Sequence, residues 1–292
     1  MDDFTAYSPY LIQHLYSTPP THLFHYTSPD ALIGIISNKQ LWATNTMFLN
    51  DSKEVHYAID TTKFLVDSAI ERGVYDASLF PFFNQLKDHL ASFPPRSYVI
   101  SFTELQDSLS QWRAYCPSTG DYAIGFPAKQ IISVSPNQQF KLVKCIYDWQ
   151  IQVTILNEFI DCFVRRYKAE DIQAKNDSEV QLFLSSCRDV LGQVALIMKH
   201  NSFAEEKEWR LISFGMLESN NSSISFRASA MGIIPYYKFN LTDSTFPDLL
   251  NAADVIQGGN LVIRTGPSPD PNNRARAAQY LVMHHFVSSP VF

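Results

Sequence analysis

From Leu23 to Asn38 the chain passes from an apolar, aromatic run into a helical pattern. Leu23-Phe24-His25-Tyr26 reads as a strand, and Ser28 caps a helix that opens on Pro29 and Asp30. A Pro at the first helical position loses no needed donor, and an acid there meets the positive end of the helix dipole. Leu32, Ile35 and Ile36 form its inward stripe. A second strand, Leu41 to Thr44, leads to Asn50-Asp51, a turn that caps a helix from Ser52 to Glu71 ended by Gly73. A further helix is predicted from about Asp76 to Phe93, with Phe80, Phe83, Leu86 and Leu90 at helical spacing, stopped by Pro94-Pro95.

Strand alternation returns at Tyr98 to Thr103, where Ser101 and Thr103 face away from Ile100 and Phe102. A short helix carries Leu109, Trp112 and Tyr115, and a strand runs from Tyr122 to Phe126. The middle is strand-like over Phe140 to Tyr147 and then helical over Ile151 to Lys168 and Glu179 to His200, the latter with an apolar face too broad for an exposed helix. Glu208, Arg210, Ile212 and Phe214 alternate with Trp209, Leu211 and Ser213 along another strand. Strands at Ser223 to Arg227, Ile233 to Leu241 and Asp254 to Arg264 follow, and Asn272 or Asn273 caps a closing helix through Phe286. The pattern describes one α+β domain over residues 1–292: a lead-in at 1–21, a core over 22–270 of mixed and antiparallel sheets with flanking helices, and a helical insertion at about 150–200.

Composition narrows the class. With 292 residues, 46% hydrophobic, 21 Phe and 14 Tyr against 10 Gly, the chain builds a sizeable core and is neither disordered nor fibrous. A net charge of -6 argues against a broad electrostatic footprint for nucleic acid or an anionic membrane, leaving room for a local basic groove. No apolar run spans a bilayer and Met1-Asp2-Asp3 is acidic where a secretory signal is basic, so a soluble cytoplasmic protein is expected. Cys116, Cys145, Cys162 and Cys187 form no CxxC pair, which fits reduced, buried thiols rather than a zinc site or disulfides. No metal is expected.

Two stretches carry candidate chemistry. His25, Tyr26 and Thr27 end the first strand near the polar Asn50, Asp51 and Glu54, which is denser in polar groups than a plain core requires. Taken alone, His25 is a satisfied core histidine; taken with these neighbours it marks a pocket. Phe203 to Phe214 crowds Glu205, Glu206 and Glu208 at the start of a strand that also bears Arg210. Burying Glu208 beside Arg210 requires that they pair or meet a ligand. Trp112 and Tyr115, three apart on a helix, are either an aromatic wall or core packing.

The ordered set HYTS, LWATN, FLND with a following Glu, Ser101-Phe102, QWRAY, an AIGF strand, EKEWRLI and a late Gly-Pro resembles the bacterial family known as domain of unknown function 2971, over about residues 22–270. More distantly, the His-Tyr-Thr start and strand-borne Glu resemble the ADP-ribosyltransferase superfamily, whose split-sheet core binds NAD in a cleft between two mixed sheets. The resemblance implies an NAD-consuming transferase that modifies a macromolecule, protein or nucleic acid, as a toxin or anti-phage effector, with an inhibitory partner protein in attendance. On that reading NAD is a substrate. His25 bonds ribose hydroxyls, Tyr26 or Trp112 and Tyr115 stack on a ring, and Ser101 lines the floor. Thr27 and Asn50 complete the binding set. Glu208, with Glu206 competing for the role, stabilises the positive charge that develops as the glycosidic bond breaks. Arg210 either binds the diphosphate or orients Glu208. The alternative is a binding module on the same fold that senses a nucleotide or a protein without turnover.

Overall fold

The computed structural model describes residues 7–49, 52–91, 97–116, 121–214, 221–229, 232–241 and 261–286. In chain order the elements are α1 Pro9–Leu15, β1 His22–Thr27, α2 Pro29–Asn38, β2 Gln40–Asn45, α3 Ser52–Glu71, α4 Phe80–Ala91, β3 Tyr98–Thr103, α5 Leu109–Tyr115, β4 Tyr122–Pro127, α6 Ala128–Val134, β5 Phe140–Lys144, α7 Trp149–Ala169, α8 Asp177–Ala195, β6 Glu208–Ser213, β7 Ile224–Ser229, β8 Gly232–Asn240, β9 Val262–Thr265 and α9 Pro271–Phe286. They fall into two compact units. One comprises residues 1–17, 46–97 and 143–204, and the other 18–45, 98–142 and 205–292.

The first unit is helical, built from α1, α3, α4, α7 and α8. Apolar side chains recur every three or four residues on these helices, among them Leu65 and Val66 of α3, Phe82, Phe83, Leu86 and Leu90 of α4, Ile155, Phe159 and Phe163 of α7, and Phe183, Leu184, Cys187 and Leu191 of α8. Asp148 caps α7, and Asn176 with Glu179 forms a capping box on α8, so each helix begins where its first orphan N–H groups find a side-chain acceptor. α8 ends at Ala195, short of the predicted His200. Lys199 N–H donates to Ile146 O and Ile146 N–H to Ile197 O, so a short parallel bridge takes the backbone groups that a longer helix would use. α4 begins at Phe80, later than predicted, because residues 77–79 wind as a 3-10 turn capped by Asp76.

The second unit holds one open sheet. Its strand path is β7-β8-β2-β3-β1-β4-β9, with β6 on β3 and β5 on β6, and the registered pairings are antiparallel. β3 is the hinge of this arrangement. One of its edges is matched along its length by β6, from Val99↔Ile212 to Thr103↔Glu208. The other edge is shared: β2 pairs with Tyr98 and Val99, and β1 pairs with Thr103. The two strands therefore part along β3 near Ser101.

One face of the sheet packs against α2, α6 and α9. Leu32, Ile35 and Ile36 of α2, Ile131 and Val134 of α6, and Ala278 and Val282 of α9 meet Leu23, Leu41, Phe102, Phe126, Trp209, Leu211 and Phe239 in one apolar cluster. A smaller cluster joins Phe24 and Tyr26 of β1 and Ala123 of β4 to Trp112 of α5 and to Cys116. Helix α9 starts at Pro271; Asp270 Oδ1 accepts from Asn273 N–H, so Asp270 is its cap and Asn272 and Asn273 lie within the first turn, which corrects the predicted cap. The architecture is the α+β arrangement of an antiparallel sheet with flanking helices. Among the described residues no helix is long and apolar enough to cross a membrane.

Candidate functional site

A pocket opens where β1 and β2 part. Phe24, His25 and Tyr26 of β1, Ser101, Phe102 and Thr103 of β3, Gln111 and Tyr115 of α5, and Glu206 and Glu208 line it, and it encloses about 60 Å³. His25 and Glu208, which are far apart in sequence, thus face one hollow.

His25 is held by the divergence of the strands. Its Nδ1 lies 2.9 Å from the Ser101 carbonyl oxygen, on the stretch of β3 between the residues registered with β2 and with β1. The side chain takes a backbone acceptor for which no strand stands in register. A carbonyl only accepts, so Nδ1 carries the proton and, in the neutral ring, Nε2 presents a lone pair. Burial pushes the imidazole below the usual histidine range, and the bond to Ser101 opposes that shift. The ring also meets Phe102 edge to face, with centroids 5.9 Å apart.

Glu208 and Arg210 are only 5% and 3% exposed. Two residues apart on β6, they project from the same face, and Arg210 closes a two-bond fork on the carboxylate: Nε donates to Oε1 at 2.8 Å and Nη2 to Oε2 at 3.0 Å. Such a fork fixes the carboxylate plane as well as its position. Across the ladder Thr103 stands opposite Glu208, and Ser101 opposite Arg210. Arg210 is bonded to Glu208 and is not among the pocket-lining residues.

Glu206 reaches the same pocket from the other side of a backbone bend. Lys207 has φ 44°, in the left-handed region, and this kink separates the 3-10 turn Asn201–Glu206 from β6. Thr103 Oγ1 donates to Glu206 O at 2.6 Å, pinning the bend to β3. Tyr115 is 48% exposed at the pocket mouth, with its hydroxyl 3.5 Å from Glu206 Oε2.

Tyr26 and Trp112 serve the wall. The Tyr26 hydroxyl donates to Leu105 O and accepts from Ser108 N–H, both at 3.0 Å, and its ring meets Trp112 edge to face at 4.5 Å. Burial pushes the phenol up to about 12. Trp112 is buried behind Tyr26, donates from Nε1 to Asp107 Oδ1 at 2.7 Å, and does not line the pocket. Thr27 is buried, with its carbonyl 3.9 Å from Cys116 Sγ, and it too lies off the pocket lining. Asn50 and Asp51 lie outside the described residues, as does the side chain of Glu54.

The structure therefore brings together His25, Tyr26, Ser101, Tyr115, Glu206 and Glu208, and sets Thr27, Trp112 and Arg210 behind them. Sequence reasoning missed Phe24, Phe102 and Gln111 as lining residues. The alternation of β3 turned Thr103 the same way as Ser101, and both hydroxyl-bearing residues line the pocket. Cys116, Cys145, Cys162 and Cys187 are buried free thiols, and burial pushes the Cys116 thiol up to about 12, which disfavours the nucleophilic thiolate.

No curated protein and no solved structure matches the chain. Residues 111–211 match the model of a family described as "Protein of unknown function (DUF2971)". The matched segment contains Gln111, Trp112, Tyr115, Glu206, Glu208 and Arg210, whereas His25, Tyr26, Ser101 and the late Gly-Pro fall outside it. The match supports, for that central third of the chain, the resemblance to the DUF2971 family.

Proposed function

We propose that this protein is an NAD-consuming ADP-ribosyltransferase that modifies a macromolecular acceptor, built on a split-sheet core in which β1 and β2 part along β3. The observation that carries the reading is the convergence of His25 and the Arg210-held Glu208 on one pocket.

The chemistry asks little beyond this. As the bond between the nicotinamide-ribose C1′ and the pyridinium nitrogen breaks, the electron pair leaves with nicotinamide and positive charge develops on the sugar. A carboxylate fixed beside the ribose stabilises that charge, and one already oriented by a guanidinium fork does so without reorganising. The acceptor nucleophile then closes on C1′ and releases its proton to solvent. Neutral His25 offers Nε2 as an acceptor for a ribose hydroxyl. Tyr115, exposed at the mouth, offers a ring face, and Glu206 beside it supplies a second carboxylate. Whole small-molecule pockets usually enclose about 300–1,000 Å³, so a hollow of about 60 Å³ takes one ribose edge while the remainder of the dinucleotide lies along the open mouth.

The test is incubation of purified protein and whole-cell lysate with NAD labelled on the adenylate side. Label retained in a protein or nucleic-acid fraction, lost with Glu208→Gln, supports transfer and identifies the acceptor class. Expression of the wild type should also arrest growth, and the same variant should relieve the arrest. A harmless wild type that transfers no label and releases no nicotinamide would leave the non-catalytic binding module as the better reading.

A further inference from the structure

A second surface lies on β7, β8 and β2, away from the pocket residues. On the face opposite the apolar cluster, Trp42 stands across from Lys238 and Thr44 across from Tyr236, while Ser225 pairs with Tyr236 and Arg227 with Ile234. Opposed residues in an antiparallel pair share a face, so this face carries the exposed Trp42, the buried Tyr236, two cations and the hydroxyls of Thr44 and Ser225. Leu41, Ala43, Tyr237 and Phe239 turn to the core on the other side.

Trp42 is 41% exposed and stacks on Tyr236 with ring centroids 4.4 Å apart and planes 26° apart. One indole face is spent on Tyr236, which holds the ring in place, while the residue keeps 41% of its surface exposed. Arg227 Nη2 donates to Thr44 Oγ1 at 3.1 Å, drawing the guanidinium across the sheet toward that stack. The three strands QLWATN, ISFRAS and GIIPYYKFN contain no Asp or Glu. Three strands that bear Arg227 and Lys238 and no carboxylate, in a chain of net charge -6, are a local departure from the protein's own charge.

An open ring held by a second ring and flanked by cations fits a base with its phosphates. Base stacking on a protein aromatic tolerates any sequence, and Lys and Arg beside it meet the backbone. We infer that the β7-β8-β2 face binds single-stranded nucleic acid, with a base on the outer face of Trp42 and phosphates on Arg227 and Lys238. Through the ladders Thr44↔Val99 and Ser101↔Arg210, this is also the sheet face that carries Ser101, Arg210 and Glu208. The binding does not depend on the proposed catalysis.

The experiment is fluorescence anisotropy of labelled oligothymidine and oligouridine, about ten nucleotides long, with the full chain. Binding of either strand by the wild type is expected, the tighter one distinguishing DNA from RNA. Trp42→Ala should weaken it about tenfold, the effect of losing one stacked base, and Trp42→Phe should restore it. The double variant Arg227→Gln with Lys238→Gln should lower the slope of log affinity against log salt by about 1.4, at about 0.7 for each lost single-strand phosphate contact. This second variant keeps the test sound if Trp42→Ala fails to fold, which circular dichroism will show. No binding at low salt, or binding unchanged in both variants, or binding of a mononucleotide as tight as that of the strand, would overturn the inference.

Discussion

Arg210 grips Glu208 by two hydrogen bonds of 2.8 and 3.0 Å from two positions along the same strand, with both side chains almost fully buried. Removing one member of such a pair strands the other's charge. Arg210→Ala should therefore destabilise the fold by about 3–5 kcal/mol. Arg210→Lys keeps the charge but cannot form the planar fork, so it should cost less stability while still freeing the carboxylate to turn. Denaturant midpoints measure the first effect. Equal midpoints for the wild type and Arg210→Ala would contradict a paired, buried Glu208.

His25 gives stability a pH dependence of known sign. Its folded-state pKa is depressed below the ordinary value, so the unfolded chain binds the proton more readily. Relative to His25→Gln, the wild type should hold its full stability above about pH 6.5 and lose it as pH falls from there through the folded-state value. The check is the difference in unfolding free energy between the two proteins over that range. A difference that does not change with pH would remove the half-buried neutral imidazole from the picture.

Tyr26 titrates in the opposite direction. Its folded-state pKa is pushed up to about 12, so its contribution is fully present below about pH 10 and is lost as pH rises through 12. Tyr26→Phe leaves Leu105 O and Ser108 N–H without the hydroxyl that joins them, at a cost of about 1–3 kcal/mol. The variant should also lose the alkaline limb of the wild-type stability curve.

Gly125 makes room for the pocket wall. A Cβ there would lie 2.5 Å from Phe24 Cε1, and Phe24 lines the pocket. Gly125→Ala must displace the ring, with a cost of about 1–3 kcal/mol for overpacking. Thermal unfolding of the variant reads the cost, and unchanged stability would show that Phe24 moves aside freely.

Much of the strand and helix pattern was legible because the periodicities are clean and the caps are local. Ser28-Pro29-Asp30 opened α2, the alternation of β6 placed Glu208 and Arg210 on one face, and the cost of burying either alone required that they pair or meet a ligand. Less legible was what depends on distant backbone. The parting of β1 and β2 along β3, which positions His25 on Ser101 O, is a property of strand order and register, and no local residue pattern encodes it. For the same reason Trp112 and Tyr115, alike in sequence spacing, end in different roles: α5 turns Trp112 in against Tyr26 and leaves Tyr115 at the mouth. The strip at Trp42, Tyr236 and Arg227 joins β2 to the consecutive strands β7 and β8, which lie far from it in the chain.

Nicotinamide release from NAD by purified wild-type protein, set beside Glu208→Gln, tests most directly whether His25 and Glu208 form a catalytic pocket. The expected result is steady release by the wild type and a loss of about 100-fold or more in the variant, with the variant's unfolding transition retained. Release that is absent from the wild type, or equal in the two folded proteins, would contradict it.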